Sequence, residues 1–203
     1  MKAAYLVDGG FFIQKHKQEF RRHPTAASIK EFVDKLHAKH ASHAEIFRVY
    51  YYDCPPADQE IETAVTQTRI HLRNQPVYAI KKQFITDIKH LPYFAVREGV
   101  LKFDGWEPKS RMHTPPIDDD YKMKFRQKGV DMKIGLDISW LSMGKIVDRI
   151  VLVTGDSDFV PAMKFARRQG IQVCLSTLHH GVIEQLKEDA DCHYAESLRD
   201  IMN

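Results

Sequence analysis

Short apolar runs that alternate with amphipathic segments constrain the fold of this chain more than any other feature. Three of them, Ala3 to Val7, Ile150 to Thr154 and Ile171 to Ser176, have the brief, largely aliphatic character of buried parallel strands. A fourth candidate, Glu45 to Tyr52, ends in three consecutive tyrosines, which also favour a strand.

Segments with helical periodicity separate these strands. Ser28 followed by Glu31 has the form of a capping box, and Gly170 stands where a helix C-cap is expected. Strands that alternate with helices predict βαβ units, and so an α/β fold with a mainly parallel central sheet flanked by helices. The apolar stripes of the predicted helices are Ile29, Phe32, Val33 and Leu36; Val130, Ile134, Ile138 and Leu141; and Phe159, Met163 and Ala166.

The stretch at about 84–127 departs from this alternation. Val96 to Phe103 has the pattern of a β-hairpin that turns at Glu98-Gly99, and a polar, proline-containing segment with Asp118 to Asp120 follows. We interpret this stretch as an inserted β-hairpin and loop within a single domain that spans all 203 residues.

Composition restricts the functional classes. A formal net charge of +3 permits a nucleic-acid partner without indicating one. Neither the three cysteines nor the pair His179-His180 has the spacing of a metal site, and the histidines are expected to lie in a turn. The apolar run at the start is too short for a signal peptide, and no run approaches the roughly 18 apolar residues of a membrane span. We therefore expect a cytoplasmic protein with no membrane partner.

Carboxylates stand at the ends of the predicted strands and at the start of one helix. Asp8 follows the first strand, Asp156 and Asp158 follow the strand that begins at Ile150, and Asp131 lies in the first turn of a helix. Ligands collect beyond the carboxyl ends of the strands in open α/β sheets. We expect these four side chains to meet at one edge.

Such a cluster suits Mg²⁺ or Mn²⁺, which prefer oxygen ligands and can activate water for phosphodiester hydrolysis. Crowded carboxylates repel one another, and a bound cation relieves that repulsion. Taken singly, each aspartate also suits a turn or a helix N-cap, and this alternative stays open.

Asp137 lies on the sheet-facing side of the helix that carries Asp131, about 9 Å further along its axis. The carboxylates of Asp131 and Asp137 therefore cannot bind the same ion directly at the same time. Asp137 is expected either to support the site from behind or to be a buried carboxylate paired with a Lys, an Arg or a backbone group.

Basic residues alternate with other side chains just before Asp131. In an extended chain they would share one side and could line a path for single-stranded RNA toward the acids. The alternative is a charged edge strand that prevents aggregation. The residues are Lys122, Lys124, Arg126 and Lys128.

Four motifs together resemble the NYN domain, and more narrowly its bacterial LabA-like (DUF88) branch, which is related to PIN-domain nucleases. They are Leu6 to Gly10, Tyr50 to Asp53, Gln127 to Asp137, and Val153 to Phe159. The resemblance covers nearly the whole chain in order, and the pairing of Lys-Gly-Val-Asp with Gly-Asp-Ser-Asp-Phe is its most specific part. It implies a PIN-like Rossmannoid fold and a metal-dependent ribonuclease.

The resemblance also implies roles for individual residues. It makes Asp8, Asp131 and Asp156 the ligands of Mg²⁺ or Mn²⁺, with Asp158 beside them. It places the hydroxyls of Thr154 and Ser157 at the rim of the site and makes Lys128 face the phosphate backbone.

One position departs from the pattern. Phe11 stands where many relatives carry Asn. The alternative function is therefore a catalytically weak RNA- or protein-binding module that keeps the acidic pocket.

A phosphatase of the haloacid-dehalogenase type is disfavoured because Gly10 occupies the position of its second acid. A homodimer is possible for either function.

Overall fold

Ten strands and seven α-helices follow one another along the chain. The structure, a computed structural model, describes residues 1–203. The strands are β1 (Lys2–Asp8), β2 (Glu45–Asp53), β3 (Glu60–Glu62), β4 (Arg69–His71), β5 (Phe94–Glu98), β6 (Val100–Pro108), β7 (Tyr121–Lys128), β8 (Arg149–Val153), β9 (Gln172–Ser176) and β10 (Cys192–Tyr194). The helices are α1 (Gly9–Phe20), α2 (Ala26–His40), α3 (Pro76–Lys89), α4 (Val130–Met143), α5 (Val160–Arg168), α6 (Glu184–Glu188) and α7 (Leu198–Met202). None of these helices has both the length and the apolar character that a membrane crossing requires.

Six strands form the central sheet, in the spatial order β10-β9-β8-β1-β2-β5, and every neighbouring pair is parallel. Two further pairs, β3 with β4 and β6 with β7, are antiparallel and lie outside this sheet. The four strands predicted from the sequence are β9, β8, β1 and β2, which are adjacent in that order. The expected parallel α/β architecture is confirmed.

The two faces of β1 show why helices must cover both sides of the sheet. Tyr5 and Val7 point into a core formed with α1, α2 and α7, whereas Ala4 and Leu6 point into a second core formed with α4 and α5. Neighbouring side chains of a strand point to opposite faces, and all four of these are fully buried. Every residue of the three predicted helical stripes is buried in one of the two cores.

Helix α2 begins earlier than the sequence predicts. Its N-cap is Thr25, whose hydroxyl accepts a hydrogen bond from the backbone N–H of Ser28 at 3.1 Å. The Ser28 hydroxyl in turn accepts from the N–H of Thr25 at 2.9 Å. The predicted pairing of Ser28 with Glu31 is therefore wrong, because an earlier hydroxyl completes the reciprocal cap. Glu31 forms an ion pair with Lys35 instead.

The hairpin predicted to turn at Glu98-Gly99 is wrong. Strand β5 ends at Glu98 and pairs with β2 as the outermost strand of the central sheet. Strand β6 begins at Val100 and pairs with β7, so the excursion from the sheet starts there and not near Phe84. We call this antiparallel pair the β6–β7 ribbon. The region before it belongs to the sheet layers, since Ile88 of α3 is fully buried in the core.

Close packing, and not a turn, requires the glycine at position 99. A Cβ atom on Gly99 would lie 2.7 Å from Cγ2 of Val130, 2.8 Å from the carbonyl oxygen of Lys128 and 2.9 Å from Sγ of Cys54. The chain passes directly against the start of α4 at this point, and there is no room for a side chain. The β6–β7 ribbon therefore leaves the sheet beside the N-terminus of α4.

Replacing Gly99 with alanine is expected to lower the free energy of unfolding by about 1–3 kcal/mol, because the added Cβ would overlap packed neighbours. Gly135 within α4 is the matched control, since a Cβ there meets no heavy atom within 4 Å. Gly135→Ala should stabilise the protein by up to about 1 kcal/mol through helix propensity. Urea unfolding measures both values, and a neutral Gly99→Ala variant would contradict the close packing.

Candidate functional site

The order of strands in the central sheet creates a crevice at one edge. From β1 the chain proceeds to β2 and β5 on one side, and it later returns to β8 on the other side of β1. Such a switch point opens a ligand-binding crevice beyond the carboxyl ends of the strands. Asp8 is the last residue of β1, and Asp156 follows the end of β8 by three residues. Two of the predicted acids therefore lie at this crevice.

Hydrogen bonds fix Asp8 at the start of α1. One carboxylate oxygen, Oδ1, accepts from the backbone N–H of Phe11 at 3.1 Å, which caps the helix. The other, Oδ2, accepts from the Thr154 hydroxyl at 3.4 Å. The same hydroxyl accepts from the backbone N–H of Asp156 at 3.2 Å. Thr154 is fully buried, so it bridges the two strand ends from behind.

Asp156 caps the short 3₁₀ turn Ser157–Phe159, because its Oδ1 accepts from the backbone N–H of Asp158 at 2.9 Å. The side chain of Asp158 is exposed, and Ser157 is half-buried with no hydrogen bond from its hydroxyl. The capping interpretation of Asp8 and Asp156 is therefore correct for both. It does not exclude ligand binding, since an ionised carboxylate has about four lone-pair sites.

The four aspartates influence one another electrostatically. Partial burial raises the pKa of Asp131, and the nearby charges of Asp156 and Asp158 raise it further. Burial also raises the pKa of Asp8, with an added contribution from Asp131, although hydrogen bonds from Phe11 and Thr154 act in the opposite direction. Asp131 thus lies close enough to each of the other three acids for their charges to interact, which places all four at one edge of the sheet.

The carboxylates do not form a closed metal cage. No group of three or more His, Cys, Asp or Glu side chains is arranged to hold one ion. The donor chemistry nevertheless fits Mg²⁺ or Mn²⁺, because Mg²⁺ is commonly held by one or two carboxylates while water and substrate phosphate complete its coordination. Repulsion among the acids would also be relieved by a cation.

Asp137 belongs to a different arrangement. Its Oδ2 accepts hydrogen bonds from the Tyr52 hydroxyl and from Nε of Arg97, both at 2.9 Å. None of its hydrogen bonds goes to the four aspartates. The structure therefore agrees with the second interpretation of Asp137, a carboxylate paired with an arginine. Its hydrogen bonds connect α4 to β2 and β5.

The basic residues of β7 are largely paired within the ribbon. Arg126 lies 2.9 Å and Lys124 3.9 Å from the same carboxylate oxygen of Asp104, and Lys122 lies 3.3 Å from Glu107. These partners are all on β6. The pairing favours the charged-strand alternative for these three side chains over an open path for RNA.

The opposite side of β7 approaches the acids instead. Side chains alternate along a strand, so Gln127 points away from Lys128. The Gln127 amide lies 3.7 Å from the position that a Cβ on Gly10 would take, and Asp8 Oδ1 lies 3.4 Å from that position. Gln127 is therefore a neighbour of the site that the sequence pattern did not identify. Lys128 is exposed and forms no ion pair.

An aromatic pair covers the turn between Thr154 and Asp156. The rings of Phe11 and His180 meet edge to face, with centroids 5.7 Å apart. A Cβ on Gly155 would lie 2.6 Å from Cδ2 of His180 and 2.9 Å from Cε2 of Phe11, so the pair packs directly on this glycine. Sequence reasoning assigned His180 only to a turn. Its position after β9, whose carboxyl end lies at the same edge, was the available signal.

Comparison with known proteins agrees with this architecture. The parallel sheet flanked by helices is the expected PIN-like Rossmannoid fold. A crystal structure of a protein of unknown function from Vibrio parahaemolyticus RIMD 2210633 is similar, with a TM-score of 0.51 and 16% sequence identity. The similarity covers 95% of this chain and 90% of that one.

The chain belongs to the NYN domain family, whose sequence pattern matches residues 18–198. This range includes Asp131, Asp156 and Asp158, whereas Asp8 lies before it. No curated protein matches the chain. The structure therefore contributes what the family match does not, namely the position of Asp8 beside the other acids.

Asp8→Asn is expected to stabilise the metal-free protein. Asn caps a helix as well as Asp, so the substitution keeps the cap while removing a poorly solvated charge. The gain should be about 1 kcal/mol, or 2–4 °C in Tm. Because the folded-state pKa of Asp8 is raised above its ordinary 3.8, the gain is complete above the raised value and disappears below 3.8. Thermal melts across pH in the presence of EDTA measure it.

Asp53→Asn is the matched control for this experiment. Asp53 is also buried, but its carboxylate pairs with Lys81 and accepts from the N–H of Cys54. Removing one partner of such a pair should destabilise the protein by about 1–3 kcal/mol. If Asp8→Asn destabilised the protein to the same extent, Asp8 would not carry an uncompensated charge.

Proposed function

We propose that this protein is a divalent-metal-dependent ribonuclease that hydrolyses phosphodiester bonds of single-stranded RNA. The observation that carries the proposal is the convergence of four aspartates at the switch point of the sheet, where Asp131 lies close enough to the other three for their charges to interact. Membership of the NYN family supports a nuclease of the PIN-like group. We further propose Mg²⁺ or Mn²⁺ as the cofactor and the LabA-like branch as the closer relationship.

Two of the four carboxylates are fixed by hydrogen bonds, and the other two are exposed to solvent. Asp8 and Asp156 are fixed by hydrogen bonds and by the buried Thr154 hydroxyl, so they would be the preorganised ligands. Asp131 and Asp158 are exposed and face the solvent from which substrate would arrive. A divalent cation bound here would supply charge neutralisation for a phosphate and a water of lowered pKa. Gln127 is within reach of the same edge and could orient the substrate.

A second candidate is an RNA-binding module with little turnover. Phe11 favours it, because its ring packs against His180 and offers no amide to substrate or water. The backbone N–H of Phe11 still caps Asp8, so the carboxylate keeps its position in either case. The two candidates differ in whether cleavage occurs in the presence of metal.

Asp156→Asn is expected to reduce Mn²⁺-dependent cleavage of a labelled single-stranded RNA by at least about 100-fold, because a preorganised ligand is lost. The far-UV circular dichroism should remain that of the native protein. Asp34→Asn, purified in the same way, is the control for contaminating nucleases, since Asp34 is exposed and pairs only with Lys30 on α2.

Each outcome of the cleavage assay discriminates. Full activity of Asp156→Asn, or equal activity in EDTA, would refute the nuclease proposal at this site. Absence of cleavage by the native protein with either metal, together with retained RNA binding, would select the binding module. Unequal cleavage of single-stranded and duplex RNA tests the proposed preference for unpaired strands.

We also propose that two copies associate through the outer face of α4. Met132, Leu136, Trp140 and Met143 lie on one side of this helix, and each is at least half exposed. An apolar stripe of this kind marks an interface, and two copies packed antiparallel would oppose their helix dipoles favourably. Light scattering after gel filtration should show a dimer, and Leu136→Glu a monomer. A monomeric native protein at high concentration would contradict this.

A further inference from the structure

A groove joins the acidic edge on one side. Its walls come from α1, α3, the segment after β2 and the β6–β7 ribbon, and it encloses about 720 Å³. Gly10 and Gln127 belong to its lining, and a Cβ atom on Gly10 would lie 3.4 Å from Oδ1 of Asp8, so one end of the groove lies beside that acid. We call it the α1–ribbon groove. Its volume falls within the range of small-molecule sites.

The ribbon contributes an aromatic wall. Phe125 lines the groove, and 38% of its surface is exposed. Its partner across the strands is Phe103, which meets it edge to face at 6.0 Å. Phe103 also contacts Trp106 at 5.5 Å. The Phe125 ring therefore packs against Phe103 on one side and is exposed to solvent on another.

The opposite walls carry two lysines, which supply positive charge, and one histidine. Lys17 of α1, Lys81 of α3 and His23 all line the groove. Burial lowers the pKa of His23, and the charges of Lys17 and Lys81 lower it further, which indicates that the three groups lie near one another. Lys81 is partly neutralised by Asp53, whereas Lys17 forms no ion pair. The groove thus combines an apolar, aromatic interior with an available cation.

An unpaired nucleotide matches this combination. A base has an apolar face that stacks on aromatic rings, and its phosphate needs a cation, whereas an apolar ligand would leave Lys17 unused. In a duplex the bases are stacked within the helix and cannot enter a groove of this kind. Continuity with the acids also fits, since Gly10 and Gln127 of the groove lining lie beside Asp8.

We propose that the α1–ribbon groove binds a nucleobase of single-stranded RNA, which stacks on Phe125 while Lys17 contacts the adjoining phosphate. This inference rests on the proposed function, because it identifies the part of the RNA that lies beside the acidic edge. It predicts that Phe125 recognises the base and Lys17 the backbone.

The test measures RNA binding without cleavage. A short fluorescent single-stranded RNA is titrated in EDTA against Asp156→Asn protein, in which both turnover and part of the acidic repulsion are removed. Adding Phe125→Ala should weaken the Kd about tenfold. Lys17→Ala should weaken it severalfold with a smaller dependence on salt concentration. Lys17 lies on the exposed side of α1, so this variant keeps the test valid if Phe125→Ala unfolds.

Matched controls separate the base from the phosphate. Tyr93→Ala and Lys30→Ala remove an exposed aromatic ring and an exposed lysine outside the groove and should leave the Kd unchanged. RNA in which successive positions are abasic should lose about tenfold in affinity at one position, and Phe125→Ala should be insensitive at that position.

Several results would overturn the inference. They are native affinity in both groove variants, equal loss with Tyr93→Ala, or equally tight binding of duplex RNA. RNA binding that depends on Lys17 but not on any base would show that the groove contacts only a phosphate and does not bind a base. Because cleavage plays no part in this titration, a failure here leaves the nuclease proposal standing, and a failure of the cleavage assay leaves this result interpretable.

Discussion

The parallel pairing of β1 with β8 is the constraint on which the candidate site depends. Val7 lies opposite Val153, so the residues that follow both strands emerge side by side. Thr154 then reaches Asp8 and also receives the N–H of Asp156. A buried hydroxyl thereby joins the carboxylate of Asp8 to the backbone of Asp156 at the switch point. Backbone N–H groups of Phe11 and Asp158 also bind the side chains of Asp8 and Asp156, so the fold itself positions both carboxylates, as the proposed metal site requires.

Local residues were sufficient to predict four of the six strands of the central sheet and the position of the acids at its edge, but not β5 or β10. Strands buried on both faces must be apolar throughout, so the runs at β1, β8 and β9 were visible without any tertiary information. The rule that parallel strands end at one edge then placed Asp8 and Asp156 together. Asp131 followed from its place at the start of α4. The sequence could not predict the distances between the carboxylate oxygens. In the structure, no three of these side chains are arranged to hold one ion.

The Ser28 cap was assigned to the wrong local partner. The other points that the sequence misassigned or left open concern residues whose role depends on a distant partner. Gly99 was taken for a turn, yet it makes room for Val130 and Cys54. Asp137 finds Arg97 only after β5 joins the sheet. The charges of β7 were visible, but their partners on β6 and the aromatic wall on the other side depend on the register of the ribbon.

Location of bound Mn²⁺ by anomalous diffraction tests the central claim most directly. The account predicts an anomalous peak at the carboxyl edge of β1 and β8, within about 2–2.5 Å of carboxylate oxygens from Asp8 or Asp156, and its loss in crystals of Asp156→Asn. A native crystal with no peak at this edge, or with Mn²⁺ bound only elsewhere, would contradict it.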